Sequence, residues 1–143
     1  MSRAHDVRDG EELAFEPEPE SRLAGVGVDI VDIDRFEAML ARTPRLKERL
    51  FAPEERGLSL ASLAARAAAK EATGKALGNP GELSWQDVIV RKTATDRPYL
   101  VLRGNALATA VREGVSALHL SLSHDGRLAV ASVAAERRKS LDD

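Results

Sequence analysis

Three charged residues of one alanine-rich stretch, Lys70, Glu71 and Lys75, are the first candidates for chemistry in this sequence. Glu71 and Lys75 are four residues apart, so on a helix they share one face, with Lys70 about 100° further round the axis. One interpretation is a solvated Glu–Lys pair that contributes about 0.2–0.5 kcal/mol. The other is a carboxylate that holds a metal ion beside two ammonium groups that contact phosphate oxygens.

Asp29 is a further candidate because it follows the apolar run 25–28, where a surface charge is poorly placed. A buried carboxylate needs a cation or hydrogen-bond donors. Asp29 could simply cap the next helix. Paired with Glu71, it would instead form the oxygen-only kind of site that holds Mg²⁺ together with water and substrate phosphate. His124 and Asp125 are a weaker polar pair, since His-Asp-Gly is also an ordinary turn sequence.

Composition restricts the class of protein. The 143 residues are 43% hydrophobic and only 3% aromatic, so we expect one domain with a core of Leu, Val and Ala. The absence of cysteine excludes disulfides and thiolate metal sites. No apolar run approaches the length of a membrane span, and the N-terminus lacks a signal-peptide pattern, which predicts a cytoplasmic protein without membrane contact.

Charge is distributed unevenly along the chain. Residues 1–22 carry three arginines and seven acids, a net of −4 in a chain whose total is −2, so residues 23–143 carry about +2. This mild excess argues against a nucleic-acid binder and suits phosphates or an acidic protein partner.

The elements that must position these residues are predicted to form an α+β fold, with a mainly antiparallel sheet packed against a long central helix. Residues 1–22 predict a disordered acidic tail, 23–137 the domain, and 138–143 a C-terminal tail. The predicted elements are a strand at 23–31, a helix at 33–42 capped by Asp32, a short helix to 50, a helix start at Pro53, a long helix from near 60 to 78, a hairpin of 85–93 and 98–103, a helix at 105–113, and strands at 118–123 and 128–134 joined by a turn at 124–126.

Three segments, in this order and spacing, resemble the holo-acyl-carrier-protein synthases, the small class of 4′-phosphopantetheinyl transferases. They are GVGVDI at 25–30, AARAAAKEA at 64–72 followed by Lys75, and HLSLSHD at 119–125. The resemblance covers nearly the whole body of the chain. It implies an enzyme that transfers 4′-phosphopantetheine from coenzyme A to a serine hydroxyl of apo-acyl carrier protein and releases adenosine 3′,5′-bisphosphate.

The resemblance also implies roles for single residues. Asp29 and Glu71 would be the Mg²⁺ carboxylates, and Lys75, with Lys70 behind it, would contact the phosphates. The chemistry itself also requires an acceptor for the serine proton, and we expect Glu71, acting directly or through a metal-bound water, with Asp125 or His124 as the alternative.

Other positions match the surfaces that bind coenzyme A and the carrier protein. Arg66 and His124 match positions lining the coenzyme A cleft, although a surface or interface salt bridge is an equal interpretation of Arg66. Arg35 matches a basic position on the first helix that meets an acidic helix of the carrier protein. The family forms homotrimers with sites between subunits. Arg66 and Lys75 are nine residues apart, which places them about 180° apart round one helix, so in a trimer they could line two different clefts.

Two positions depart from the family pattern. Ala67 stands where an aromatic residue is usual, so a packing contact near the pantetheine or the carrier protein is missing. Asp125 stands where many members have threonine, although some have an acid, and an acid beside His124 could orient it or take a proton itself.

Two other functions stay open. The same Asp29, Glu71 and Lys75 would serve a Mg²⁺-dependent nucleotide hydrolase, although no phosphate-binding GxxxxGK[ST] loop occurs. A non-enzymatic α+β binding module would keep its charged residues solvated, and Glu71→Ala would then change no partner modification.

Overall fold

The computed structural model describes residues 12, 14, 16, 21–78, 81 and 83–137, and it has the α+β architecture that the sequence predicts. The helices and strands follow in this order: β1 Leu23–Asp32, α1 Ile33–Arg42, α2 Leu46–Leu50, α3 Leu60–Ala76, a 3₁₀ turn Trp85–Asp87, β2 Val88–Lys92, β3 Pro98–Leu102, α4 Gly104–Arg112, β4 Ala117–Asp125 and β5 Leu128–Glu136. None of the helices within the described ranges has the length and apolar character that a membrane span requires.

The larger sheet is antiparallel, with strand order β1-β5-β4, and β2 and β3 form a separate antiparallel hairpin. Asp29 on β1 lies opposite Ala131 on β5, and His124 on β4 lies opposite Ala129 on the same strand. The chain's first strand therefore pairs with its last, which brings Asp29 and the C-terminal hairpin into one sheet.

Helix α3 crosses one face of this sheet at very short range. Its alanines favour a helix, its cap Ser59 accepts a hydrogen bond from the backbone N–H of Ser62, and Gly78 follows its end with φ of +77°. A Cβ on Gly27 would lie only 2.0 Å from the carbonyl oxygen of Ala72. Glycine is therefore required at that point of β1, because the backbones of strand and helix are in direct contact.

Two apolar clusters flank α3. One joins the alanines of α3 to the sheet, the hairpin and α4. The other packs α1 and the segment after α2 against the first half of α3, with the rings of Phe36 and Phe51 edge to face at 6.1 Å. Small side chains thus supply most of the core contact, as the low aromatic content predicts.

The outer face of the larger sheet carries exposed apolar side chains. Val26, Val28 and Ile30 of β1 are 66%, 56% and 61% exposed, although each lies in the middle of a regular strand. Val130 and Ala134 of β5 lie beside them in the pairing register. This face, called the outer apolar face below, is covered by no helix of the described part of the chain.

The structure corrects several predicted bounds. His124 and Asp125 are the last residues of β4, so the turn to β5 contains only Gly126 and Arg127. Residues 85–87 form a 3₁₀ turn rather than the start of a strand. Pro53 lies in a series of turns and begins no helix, because α3 starts at Leu60 behind its Ser59 cap. The predicted N-terminal tail falls mostly, and the C-terminal tail wholly, outside the described residues.

Candidate active site

Asp29 lies on the side of β1 that faces α3. Side chains alternate along a strand, so Asp29 shares this side with Gly27, which touches α3, while its neighbours Val28 and Ile30 lie on the outer apolar face. Its carboxylate is 21% exposed and lies 3.4 Å from the ammonium of Lys75. Asp29 is thus a partly buried carboxylate with a cation beside it, and the helix cap is provided by Asp32 instead.

Glu71 meets Asp29 from α3. Burial raises the pKa of the Glu71 carboxyl above its usual range, the negative charge of Asp29 raises it further, and Lys75 opposes both. Asp29 and Glu71 line the same cavity, which has a volume of about 300 Å³. Two residues 42 positions apart in sequence therefore converge on one site.

The remaining walls of this cavity, called the carboxylate cavity below, come from α1, α2, α3 and the 3₁₀ turn. Arg35 and Asp32 are polar groups at its lining. The apolar part of the lining is formed by Ile30, Val31, Phe36, Met39, Leu46, Leu50, Ala67 and Trp85. A ligand in this cavity would thus meet three carboxylates, an arginine and an apolar surface.

The donor set of the cavity fits Mg²⁺. Mg²⁺ is commonly held by one or two carboxylates while substrate phosphates and waters supply the other ligands. Within the described residues, no group of three His, Cys, Asp or Glu side chains could form a metal site by itself. Burial, and secondly the charge of Asp29, disfavour the ionised form of Glu71 and raise its pKa, and a divalent cation between the two carboxylates would offset both effects.

Lys75 lies at the edge of this site. Its ammonium donates hydrogen bonds to the backbone oxygen of Val28 at 3.1 Å and to Asp29 at 3.4 Å, and its side chain is 47% exposed. A half-exposed ammonium beside two carboxylates is able to contact an anion that enters the cavity.

Lys70 does not face the carboxylate cavity, contrary to the sequence prediction. Its side chain is fully buried, and its ammonium donates to Glu55 at 2.8 Å, to the backbone oxygen of Trp85 at 2.9 Å and to that of Val88. An ammonium has three hydrogens, and these three acceptors use all of them. Lys70 is therefore a structural cation, turned about 100° away from Glu71 into the core.

Arg66 and His124 line a second cavity, of about 240 Å³, on the opposite side of α3. Lys92, Asp96 and Ser123 also line it, and the ammonium of Lys92 lies 3.4 Å from the carboxylate of Asp96. The predicted separation of Arg66 from Lys75 round the helix is therefore observed. This second cavity, called the arginine cavity below, offers two cations and an imidazole.

Asp125 does not orient His124. The two are consecutive residues of β4, so their side chains point to opposite faces of the sheet. His124 faces the arginine cavity and does not line the carboxylate cavity of the same chain. The two side chains therefore do not form one polar pair at the carboxylate cavity within one copy, because both residues belong to β4.

Glu55 is the residue that the sequence analysis missed. It is 1% exposed, and its carboxylate lies 2.8 Å from Lys70 and 3.9 Å from Arg66. The signal was present in Lys70, because a lysine among the buried alanines of a helix requires a buried counter-charge.

Comparison with known proteins gives a consistent result. Residues 25–132 match the model of the 4′-phosphopantetheinyl transferase superfamily. A holo-[acyl-carrier-protein] synthase of Beutenbergia cavernae is 53% identical over 115 residues, which are 80% of this chain and 99% of the relative.

Two solved structures resemble the fold closely. The holo-[acyl-carrier-protein] synthase of Neisseria meningitidis is 30% identical with a TM-score of 0.74, covering 80% of this chain and 99% of that one. The synthase of Helicobacter pylori in complex with coenzyme A is 32% identical with a TM-score of 0.69, covering 78% of this chain and 99% of that one.

Proposed function

The chain belongs to the 4′-phosphopantetheinyl transferase superfamily, among the holo-[acyl-carrier-protein] synthases. On this basis we propose a function for each of its two cavities. The enzyme transfers 4′-phosphopantetheine from coenzyme A to a serine hydroxyl of apo-acyl carrier protein and releases adenosine 3′,5′-bisphosphate. The convergence of Asp29 and Glu71 on one cavity, with the ammonium of Lys75 at 3.4 Å from Asp29, is the observation that carries the proposed site.

Asp29 and Glu71 are proposed to hold Mg²⁺. When bound, the ion would neutralise the charge of the diphosphate that is cleaved. Lys75 would leave Asp29 to contact the same phosphate oxygens, since its side chain is half exposed and its present partners are one carboxylate and one carbonyl. Lys70 takes no part in phosphate binding, because its three hydrogens are already used in the core.

Glu71 is proposed to accept the proton of the serine hydroxyl. Its carboxylate lines the cavity that the serine would enter, where it would accept the proton directly or through a water. His124 and Asp125 are weaker alternatives within one copy of the chain, since His124 lines the other cavity.

The arginine cavity is proposed to bind the phosphates at the adenosine end of coenzyme A. Arg66 and His124 line it together with Lys92, and cations of this kind bind phosphate by charge-assisted hydrogen bonds. The two cavities lie on opposite sides of α3, so one coenzyme A would most simply join the arginine cavity of one copy to the carboxylate cavity of another.

Such sharing requires self-association, and the outer apolar face supports it. Val26, Val28 and Ile30 expose more than half of their surface on one face of the sheet, and an exposed apolar patch of this kind is typical of a protein–protein interface. We propose that this face joins copies of the chain into a homotrimer.

The acidic carrier protein is proposed to dock over α1 and α2. Arg35 lies at the carboxylate cavity, and the exposed Arg42, Arg45 and Arg49 continue the positive charge along these two helices. A basic surface of this kind would steer an acidic partner so that its serine enters the cavity.

The direct test is a mass-shift assay. Apo-carrier protein incubated with coenzyme A, Mg²⁺ and the enzyme should gain the mass of phosphopantetheine, and chelation of Mg²⁺ should abolish the gain. Glu71→Ala should lower the rate at least about a hundredfold, because it removes one of two metal carboxylates.

Glu54→Ala is the matched control, since Glu54 is an exposed glutamate whose partner is Arg91. Its rate should stay near that of the wild type. Release of inorganic phosphate from nucleotides without carrier modification would contradict the proposed function, and a fully active Glu71→Ala variant would contradict the proposed site.

A further inference from the structure

Glu55 joins three parts of the fold through one buried carboxylate. One of its oxygens accepts a hydrogen bond from the backbone N–H of Ala52 at 3.1 Å and from the ammonium of Lys70 at 2.8 Å. Its other oxygen accepts from the backbone N–H of Val90 at 3.3 Å. The turn before α3, the middle of α3 and strand β2 therefore share a single anion.

Two cations compete for this anion. Lys70 makes a hydrogen-bonded ion pair with Glu55, whereas the Nε of Arg66 lies 3.9 Å from it, beyond hydrogen-bond distance. This Nε is buried and has no hydrogen-bond partner within the described residues. The cluster thus carries one positive charge more than it neutralises, and that charge lies on Arg66 at the wall of the arginine cavity.

The other bonds of Arg66 leave its guanidinium able to reach a ligand. One terminal nitrogen donates to the backbone oxygen of Ser62 at 3.4 Å. Asp96 is the carboxylate that lines the same cavity, and it is 81% exposed and paired with Lys92. An anion that enters the arginine cavity would therefore find Arg66 only partly neutralised.

We propose that Glu55 is a positioning residue for coenzyme A: it fixes Lys70 in the core and holds Arg66, incompletely paired, where a phosphate monoester completes its coordination. The inference rests on the proposed function of the arginine cavity. It assigns to Glu55 a role in substrate affinity that acts through Arg66, because Glu55 itself is buried and touches no ligand.

Simple electrostatics and positioning predict opposite results for Glu55→Gln. If Glu55 acted only through its charge, its removal would leave more positive charge near the cavity and tighten phosphate binding. If Glu55 positions Arg66, its removal lets the guanidinium move and weakens binding. Glu55→Gln/Lys70→Met removes one charge of each sign, so the net charge stays the same and a change in affinity reports position.

The experiment measures the affinity of adenosine 3′,5′-bisphosphate by calorimetry for the wild type and both variants. We expect the Kd to rise about tenfold or more in each variant, the size of effect that a lost charge-assisted bond gives. In the transfer assay, KM for coenzyme A should rise more than kcat falls. The preference for coenzyme A over dephospho-coenzyme A, which lacks the 3′-phosphate, should shrink by a similar factor.

Glu54→Gln is the matched control, because it changes the adjacent glutamate, which is exposed and lies next to Arg91. It should leave the Kd and the preference unchanged. An unchanged or lower Kd in folded Glu55 variants overturns the inference while the transfer activity stands. A wild type that binds the bisphosphate but modifies no carrier protein overturns the proposed function, and the binding data still decide the role of Glu55.

A measurement on the wild type covers the case in which both variants fail to fold. The Nε–H resonance of Arg66, assigned by its absence in Arg66→Lys, should shift when adenosine 3′,5′-bisphosphate is added, because the guanidinium that carries it lines the cavity and would gain a phosphate partner. A resonance that does not respond to saturating ligand overturns the inference.

Discussion

At the scale of single residues, the site is a balance among Asp29, Glu71 and Lys75. Two carboxylates face one cavity, and the ammonium lies 3.4 Å from the first of them. Burial is the largest cause of the raised pKa of Glu71, and the charges of Asp29 and Lys75 act in opposite directions on it. The protonation of Glu71 therefore reports the arrangement of all three side chains.

Asp29→Asn should lower the pKa of the Glu71 carboxyl in the metal-free enzyme. The substitution removes a negative charge that disfavours the ionised form, while burial keeps the pKa above its usual range. Because the pKa of Glu71 is raised in the folded state, ionisation of Glu71 lowers the stability of the fold as pH rises through this pKa. This loss of stability should be smaller in the variant. Carbon NMR of the glutamate carboxyl groups against pH measures the shift.

Asp34→Asn is a suitable control, because Asp34 is an exposed carboxylate of α1 that pairs with Arg127 outside the cavity. A pKa of Glu71 that is the same in Asp29→Asn and in Asp34→Asn would contradict the close approach of Asp29 and Glu71.

At the scale of elements, α3 and β1 form the framework of the site. The contact between Gly27 and the carbonyl of Ala72 fixes how closely the helix approaches the strand. Asp29 lies two residues after Gly27 on β1, and Glu71 lies one residue before Ala72 on α3. The glycine is thus the reason that the two carboxylates meet.

Gly27→Ala should destabilise the protein by about 3 kcal/mol or more, because the added methyl would lie 2.0 Å from a backbone oxygen that has no rotamer to change. The free energy of unfolding in urea measures this effect. Gly57→Ala is the matched control, since no atom lies within 4 Å of its Cβ. Equal stability of the two variants would mean that strand and helix are further apart than described.

The element scale also shows what could be predicted from sequence. The alanine-rich pattern predicted α3, and helical spacing predicted that Arg66 and Lys75 point to opposite sides. The role of Lys70 could not be predicted in this way, because its partner Glu55 comes from a turn whose path depends on packing against β2. The end of β4 was predicted too early because a two-residue turn at Gly126, with φ of +57°, leaves His124 and Asp125 in the strand.

At the scale of the whole molecule, the positions of the two cavities and of the outer apolar face all bear on whether copies of the chain associate. The carboxylate cavity and the arginine cavity lie on either side of α3, and exposed valines and isoleucine cover the sheet face away from that helix. If this face joins copies of the chain, as proposed above, each assembly would hold several copies of both cavities.

Val28→Lys should shift the protein towards the monomer in sedimentation velocity, because a charge in the middle of the outer apolar face is costly to bury. If the sites are shared, the transfer rate should fall about tenfold or more, since part of each site is lost. Val111→Lys changes an even more exposed valine on α4, at 67%, and should leave the assembly intact. An oligomer that survives Val28→Lys would contradict the proposed interface.

The contact of Gly27 with the main chain of Ala72 has one more consequence. No side chain lies between strand and helix at this point, so their separation is set by main-chain atoms that have no alternative rotamer. The distance between the carboxylates of Asp29 and Glu71 is therefore fixed by the main chain. The proposed ion binding should then be lost together with the native structure, in a single thermal transition.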